Sequence, residues 1–275
     1  MNNVPSSRRG ARLLACGFLL ALYVFPLYAS DARAITLTRA EVIQIGRKVW
    51  QNECNGTIEG LTSWNAGENF ASLGIGHFIW YPKNLHGPFE ESFPKLVAFV
   101  SARGAKLPPL LPARRENSCP WDSREEFMRA GSSAEMIELR HFLAETIDLQ
   151  AEFLVQRLRD SVPKLLAEAG PGGRSSVQQR FDQLAVSAAG AYALVDYVNF
   201  KGEGVVASER YHGQGWGLLQ VLEGMRDTES DSAVREFARS ARTVLTARVA
   251  NSPSERHEAR WLPGWLNRVA TYTKN

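Results

Sequence analysis

The chain has 275 residues, of which 44% are hydrophobic and 22% charged, a composition typical of globular proteins and unlike that of disordered, collagen-like or coiled-coil chains. Its 32 basic and 29 acidic side chains include four arginines and one aspartate in the first 34 residues, which leaves 28 of each in residues 35–275. Because affinity for nucleic acid depends on an excess of Lys and Arg, the neutral body predicts no nucleic-acid partner.

The first 34 residues have the three parts of a secretory signal peptide. A basic segment at 8–12 precedes an apolar stretch of 15 residues, 13–27, and a small-x-small cleavage site at 32–34. A membrane-spanning helix needs about 20 apolar residues, so we expect cleavage before Ile35 and no stable membrane span afterwards. The predicted location is the bacterial periplasm or the exterior.

The next residues predict a helix followed by a small β region. Thr38 and Glu41 form a capping box, and apolar residues recur at helical spacing, which predicts a helix over 38–53. The stretch 61–81 is short, aromatic, β-branched and interrupted by glycines, which predicts a small antiparallel hairpin or meander.

The remaining chain is predicted to be helical. A proline-rich segment, 107–121, is predicted to be a long surface loop or an inter-lobe linker, and it lies within a larger segment with predicted helices, 82–175. Apolar spacing predicts one long helix over 177–198, buried at the centre, another over 234–245, and a short aromatic helix over 261–272.

Two cysteines, Cys54 and Cys119, remain after removal of the signal peptide. In an oxidising compartment an even number of cysteines favours a disulfide. This bond would close the loop between the two cysteines and would contribute about 4 kcal/mol to stability. Two buried free thiols are the alternative, since free cysteine is often fully buried.

The sequence lacks the motifs of several common kinds of functional site. The five histidines show neither an HExxH motif nor clustered Cys/His spacing, so no metal site is predicted. No nucleophile elbow occurs, and the glycines at 213, 215 and 217 lack the lysine of a phosphate-binding loop. The sequence predicts no cofactor.

Carboxylate side chains that lie among glycines and aromatic residues remain as candidate catalytic groups. Glu59 follows the first predicted helix, and Glu68 precedes the predicted strand 72–77. A glycosidase needs two carboxyl groups, one to protonate the leaving oxygen and one to orient water or stabilise the transition state. An ordinary solvated loop acid is the alternative for Glu59.

Residues 59–61, Glu-Gly-Leu, and 72–77, Ser-Leu-Gly-Ile-Gly-His, resemble the corresponding motifs of phage-type lysozymes. The resemblance implies that Glu59 is the general acid and that Ser72 occupies the place of the catalytic-site threonine. It places Glu68, or Asn65 because this chain is two residues shorter here, at the second catalytic position. It assigns His77 a structural ion pair.

A weaker similarity covers the last part of the chain. Residues 193–202, which include Asn199, resemble the central helix of these lysozymes, and 256–265 resemble their terminal helices. A rival resemblance links 213–220 to a strand of lytic transglycosylases, with Glu203 or Glu209 as the acid. Residues 218–225 are equally compatible with a helix.

Aromatic side chains near these motifs are candidates for stacking on sugar rings. The residues concerned are Trp64, Trp80, Tyr81, Trp121 and Trp216. Gly76 and Gly74 leave one face of the predicted strand without side chains. This face is either a cleft wall that a sugar approaches or a surface against which a helix or loop packs closely.

We therefore expect a mainly α, α+β fold that is lysozyme-like, with a small antiparallel β lobe and a larger helical lobe flanking a cleft over 35–275. The expected function is hydrolysis or lytic cleavage of β-1,4 bonds in peptidoglycan or a related amino-sugar polymer. The expected catalytic residues are Glu59, Glu68, Ser72 and Glu203, and the expected substrate-binding residues are Trp64, Asn65, Gly76, Asn199 and Trp216. The alternative is a non-catalytic envelope protein that binds glycan or a protein partner in such a cleft.

Overall fold

The structure is a computed structural model that describes residues 1, 35–87, 89–111 and 118–274. The predicted signal peptide, apart from Met1, lies outside the described residues. None of the helices in these ranges combines the length and the apolar composition that a membrane crossing requires.

The described chain is mainly helical with a small three-stranded antiparallel sheet, as the sequence predicts at this level, and it has a second antiparallel sheet of two strands that the sequence analysis does not predict. One sheet has three strands in the order β1-β2-β3, and the other pairs β4 with β5. The strands are β1 (Thr62–Ser63), β2 (Ala71–Leu73), β3 (Phe78–Trp80), β4 (Arg210–Tyr211) and β5 (Gln214–Gly215). The helices are α1 (Arg39–Cys54), α2 (Phe93–Ser101), α3 (Arg124–Arg129), α4 (Ala134–Glu145), α5 (Ile147–Glu168), α6 (Gly170–Ala185), α7 (Ala188–Lys201), α8 (Leu218–Glu223), α9 (Ser230–Asn251) and α10 (Leu262–Ala270).

The first helix begins at the predicted capping box. The Thr38 side chain accepts a hydrogen bond from the Glu41 amide, and the Glu41 carboxylate accepts one from the Thr38 amide at 2.8 Å. The helix ends at Asn55, whose positive φ of 53° reverses the chain. Both ends therefore agree with the predicted helix to within one residue.

The Gly-Ile-Gly-His segment is a turn rather than the predicted continuation of the strand. Strand β2 ends at Leu73 because Gly74 adopts a φ of +74°, and His77 is also left-handed at +48°. The buried side chain of Gln150 fixes this turn by accepting a hydrogen bond from the Ile75 amide at 2.9 Å. The turn brings Gly76 back towards the end of α7.

The predicted long helix over 177–198 is two helices, α6 and α7, separated by Val186 and Ser187. The Ser187 side chain caps α7 by accepting from the Gly190 amide at 3.0 Å. Every α7 residue from Gly190 to Val198 is buried, which confirms the predicted central position of this part.

Cys54 and Cys119 are both buried free thiols, so the predicted disulfide is not present in this structure. They have different neighbours. Cys54 Sγ lies 3.6 Å from the Gly74 carbonyl oxygen, whereas Cys119 forms an isolated backbone bridge with Pro82. The alternative of two buried thiols therefore describes this structure.

Candidate functional site

A cavity of about 800 Å³ is the candidate site. Its walls come from the last turn of α1, the segment from Asn65 to Ile79, helix α5, and the chain from the end of α7 to Trp216. The carboxylates that line it are Glu53, Glu68, Glu90, Glu203 and Glu209.

Glu53 is the carboxylate that the last turn of α1 presents to this cavity. Its side chain is 15% exposed. Glu53 Oε1 accepts a hydrogen bond from Asn199 Nδ2 at 3.1 Å and lies 2.8 Å from Arg268 Nη2. The other oxygen, Oε2, lies 3.6 Å from His77 Nδ1. One oxygen of Glu53 is thus fixed from two sides, while the other faces an imidazole.

Arg268 is itself held by a buried carboxylate. Asp196, which is fully buried on α7, accepts hydrogen bonds from Arg268 Nε and Nη2, both at 2.8 Å, and from the Tyr272 hydroxyl at 2.7 Å. Burial opposes the charge of Arg268, but Asp196 and Glu53 outweigh it and raise the pKa of Arg268. The guanidinium therefore stays charged and links α10 to α7 and α1.

Glu68 lies on the segment between β1 and β2. Asn65 Nδ2 donates to Glu68 Oε2 at 3.1 Å, and Trp64 Nε1 donates to the Glu68 carbonyl at 2.9 Å. Burial raises the pKa of Glu68, partly offset by the hydrogen bond from Asn65 and the charge of His77. Asn65 and Trp64 thus orient the Glu68 segment, and of these two only Asn65 lines the cavity.

Ser72 and Gly76 line the cavity together with Glu53 and Glu68. Ser72 is buried on β2 and lines the cavity. The Gly76 carbonyl accepts from Asn199 Nδ2 at 3.1 Å, the same group that donates to Glu53. A Cβ added to Gly76 would lie 2.8 Å from Phe78 Cζ and 2.9 Å from Asn199 Oδ1. Gly76 therefore both lines the cavity and permits close packing on Asn199.

Two further glutamates, Glu203 and Glu209, line the helical side of the cavity. Glu203 pairs with Lys164 at 2.7 Å, and Glu209 accepts from the Gly204 amide at 2.6 Å. Burial raises the pKa of Glu209, and the nearby charge of Glu203 adds to this effect. The segment Leu218–Glu223 is helix α8, so the helical alternative for the region after Gly217 is confirmed.

The aromatic candidates divide into two groups. Trp216 lines the cavity and is only 5% exposed, and the Tyr197 hydroxyl donates to its carbonyl. Trp64, Trp80, Tyr81 and Trp121 are buried and do not line the cavity, so their rings stabilise the core instead. The sequence did not single out Phe89, whose side chain lines the cavity and is 49% exposed.

Glu59 lies elsewhere. It begins the short 3₁₀ turn Glu59–Leu61, is exposed, and is not among the residues that line the cavity. The structure brings Glu68, Ser72, Glu203, Asn65, Gly76, Asn199 and Trp216 to one cavity without Glu59. The residue that the sequence analysis missed is Glu53, whose one local signal is its place at the end of a capped helix shortly before Gly56.

In the part of the chain that the structure describes, no group of three or more His, Cys, Asp or Glu is placed to hold a metal ion. No protein-family model, curated protein or solved structure matches this chain.

Proposed function

We propose that this protein cleaves β-1,4 glycosidic bonds of peptidoglycan or a related amino-sugar polymer in a lysozyme-like cleft. The observation that carries the proposal is the pair Glu53 and Glu68, which line one cavity together with Ser72. Glycoside cleavage requires two carboxyl groups on either side of the scissile bond, and a cavity lined by both apolar and polar side chains suits a chain of sugars.

Glu53 acts as the proton donor in this proposal. Its Oε1 is occupied by Asn199 and Arg268, so Oε2 is the oxygen that exchanges a proton with the glycosidic oxygen. Asp196 already compensates the charge of Arg268 through two hydrogen bonds.

Glu68 acts as the second carboxylate. Burial raises its pKa, which makes the ionised form a stronger base for a water molecule that attacks the sugar. Asn65 holds one carboxylate oxygen at 3.1 Å and so fixes the orientation of the group. If Glu68 activates water, the products are hydrolytic; if it does not, a hydroxyl of the sugar itself attacks and the cleavage is lytic.

The signal peptide predicted for residues 1–34 supports the same function, because it directs the chain to the periplasm or exterior, where peptidoglycan lies.

Incubation of the purified mature protein with cell-wall sacculi tests the proposal. We expect release of soluble fragments, and mass analysis of their ends distinguishes hydrolytic products from the dehydrated products of lytic cleavage. Binding of the protein to sacculi without any release would instead favour the non-catalytic alternative, in which the same cleft binds glycan.

A further inference from the structure

One basic side chain of the cavity has no acidic partner. Lys201, at the end of α7, lines the cavity, and its Nζ lies between two aromatic rings, 3.9 Å from the centroid of Phe200 and 3.5 Å from that of Trp265. Within the described residues, no carboxylate lies within ion-pair distance of this ammonium group.

The other lysine and arginine side chains that line the cavity are all paired with carboxylates. These pairs are Arg157 with Glu90 at 3.7 Å, Lys164 with Glu203 at 2.7 Å, and Arg248 with Glu258 at 2.8 Å. The absence of a counter-charge is therefore specific to Lys201 among the lysines and arginines of this wall.

An unpaired ammonium group in such a place is costly. Its three N–H donors lose hydrogen bonds to water, and cation–π attraction to the two rings offsets part of this free-energy cost. Burial, together with the charges of Arg248 and Arg268, lowers the pKa of Lys201, and the charges of Glu258 and Glu53 oppose this only in part. An anion bound beside Nζ would supply the missing hydrogen-bond acceptor and favour the charged form.

We propose that Lys201 binds a carboxylate of the substrate, so that the cavity selects amino-sugar polymers that carry acidic groups over neutral ones. This inference rests on the proposed function, since it assigns a specificity-determining residue to the same cavity. The carboxylate belongs either to a lactyl ether on the sugar or to a peptide attached through that ether.

Binding of two matched disaccharides tests the inference. The disaccharide of N-acetylglucosamine and N-acetylmuramic acid carries a lactyl carboxylate, whereas N,N′-diacetylchitobiose does not. We expect calorimetric titration of the mature protein to show roughly ten- to hundredfold tighter binding of the acidic disaccharide, the range of one charge-assisted hydrogen bond. A third ligand, in which a dipeptide amidates the lactyl group and supplies its own carboxylates, distinguishes the two sources.

Variants identify the residue responsible. Lys201→Met should abolish the preference by weakening binding of the acidic disaccharide far more than that of the neutral one, and Lys201→Arg should retain the preference. Lys48→Met is the matched control, because Lys48 also lies over an aromatic ring, at 4.8 Å from Tyr192, but does not line the cavity. We expect it to bind as the unmodified protein does.

The outcomes separate this inference from the proposed function. Equal binding of both disaccharides by the unmodified protein would overturn the role of Lys201 and leave the proposed function standing. A preference that persists in Lys201→Met would assign the carboxylate to another residue and also overturn it. Binding of neither disaccharide would overturn the role of Lys201, whereas the proposed function is decided separately by fragment release from sacculi.

Discussion

Glu53 Oε1 lies 2.8 Å from Arg268 Nη2, so the last helix of the chain fixes the carboxylate at the end of the first. The same guanidinium makes two hydrogen bonds to Asp196 on the buried central helix. Three helices that are distant in sequence therefore converge on one charged cluster at the wall of the cavity. Both the stability of the fold and the placement of Glu53 depend on Arg268.

Replacement of Arg268 by Met should strongly destabilise the protein. The change leaves Asp196 buried without its cation, and loss of one partner of a buried ion pair costs about 3–5 kcal/mol. Urea denaturation measures the free energy of unfolding. Arg260→Met, at an exposed arginine near the same helix, is the control. Equal stabilities of the two variants would show that the cluster contributes little.

Substitution of Glu68 by Gln should raise the melting temperature at pH 7 while reducing cleavage. Because burial raises the pKa of Glu68, the folded protein binds this proton more tightly than the unfolded chain. The stability that this tighter proton binding contributes is present at low pH and is lost as the pH rises through the pKa of Glu68 in the folded state. The advantage of the variant should therefore shrink as the pH falls through the folded-state pKa and be gone below about pH 4.3, the ordinary value for glutamate.

Differential scanning calorimetry at a series of pH values measures this difference, with Glu138→Gln as the control at an exposed helical glutamate. A Glu68→Gln variant that is less stable than the unmodified protein at pH 7 would contradict the account.

Gly76→Ala should reduce both stability and activity. The added Cβ would lie within 3 Å of Phe78 and of Asn199, the residue that holds Glu53. Overpacking of this kind costs about 1–3 kcal/mol, and displacement of Asn199 should lower the cleavage rate of the folded molecules as well. Gly131→Ala is the control, since nothing lies within 4 Å of a Cβ there. Full activity per folded molecule in Gly76→Ala would show that Asn199 does not position Glu53.

Cys54 and Cys119 should be unreactive thiols in the folded protein. Burial raises the pKa of each to about 12, so very little thiolate is present at pH 8. We expect no alkylation by iodoacetamide until the protein is unfolded, and then complete alkylation of both without reductant. A requirement for reductant in protein purified from the periplasm would show that a disulfide forms there.

The sequence was sufficient for features that depend on local patterns. The capping box of Thr38 and Glu41 predicts where α1 begins, and the short β-branched stretch predicts the small sheet. The turn at Gly74 was missed because alternating glycines are compatible with a strand, and only the left-handed backbone of Gly74 and His77 ends it.

Glu53 was missed for a different reason. Its hydrogen-bond partner Asn199 is 146 residues away, and Arg268 lies on the last helix. No local pattern in the sequence indicates contacts between residues so far apart, whereas Glu59 lies within the short Glu-Gly-Leu motif, which is recognisable from sequence alone. The two glutamates differ in the structure because α1 ends between them, which leaves Glu53 at the cavity and Glu59 exposed to solvent.

The pair Glu53→Gln and Glu59→Gln tests the central claim most directly, by the rate at which each variant releases soluble fragments from cell-wall sacculi. Each change removes one carboxylate and preserves the size of the side chain. The account predicts that Glu53→Gln lowers the rate per folded molecule by about 10²–10⁴-fold, and that Glu59→Gln cleaves as the unmodified protein does. Retained cleavage in Glu53→Gln together with its loss in Glu59→Gln would contradict the account.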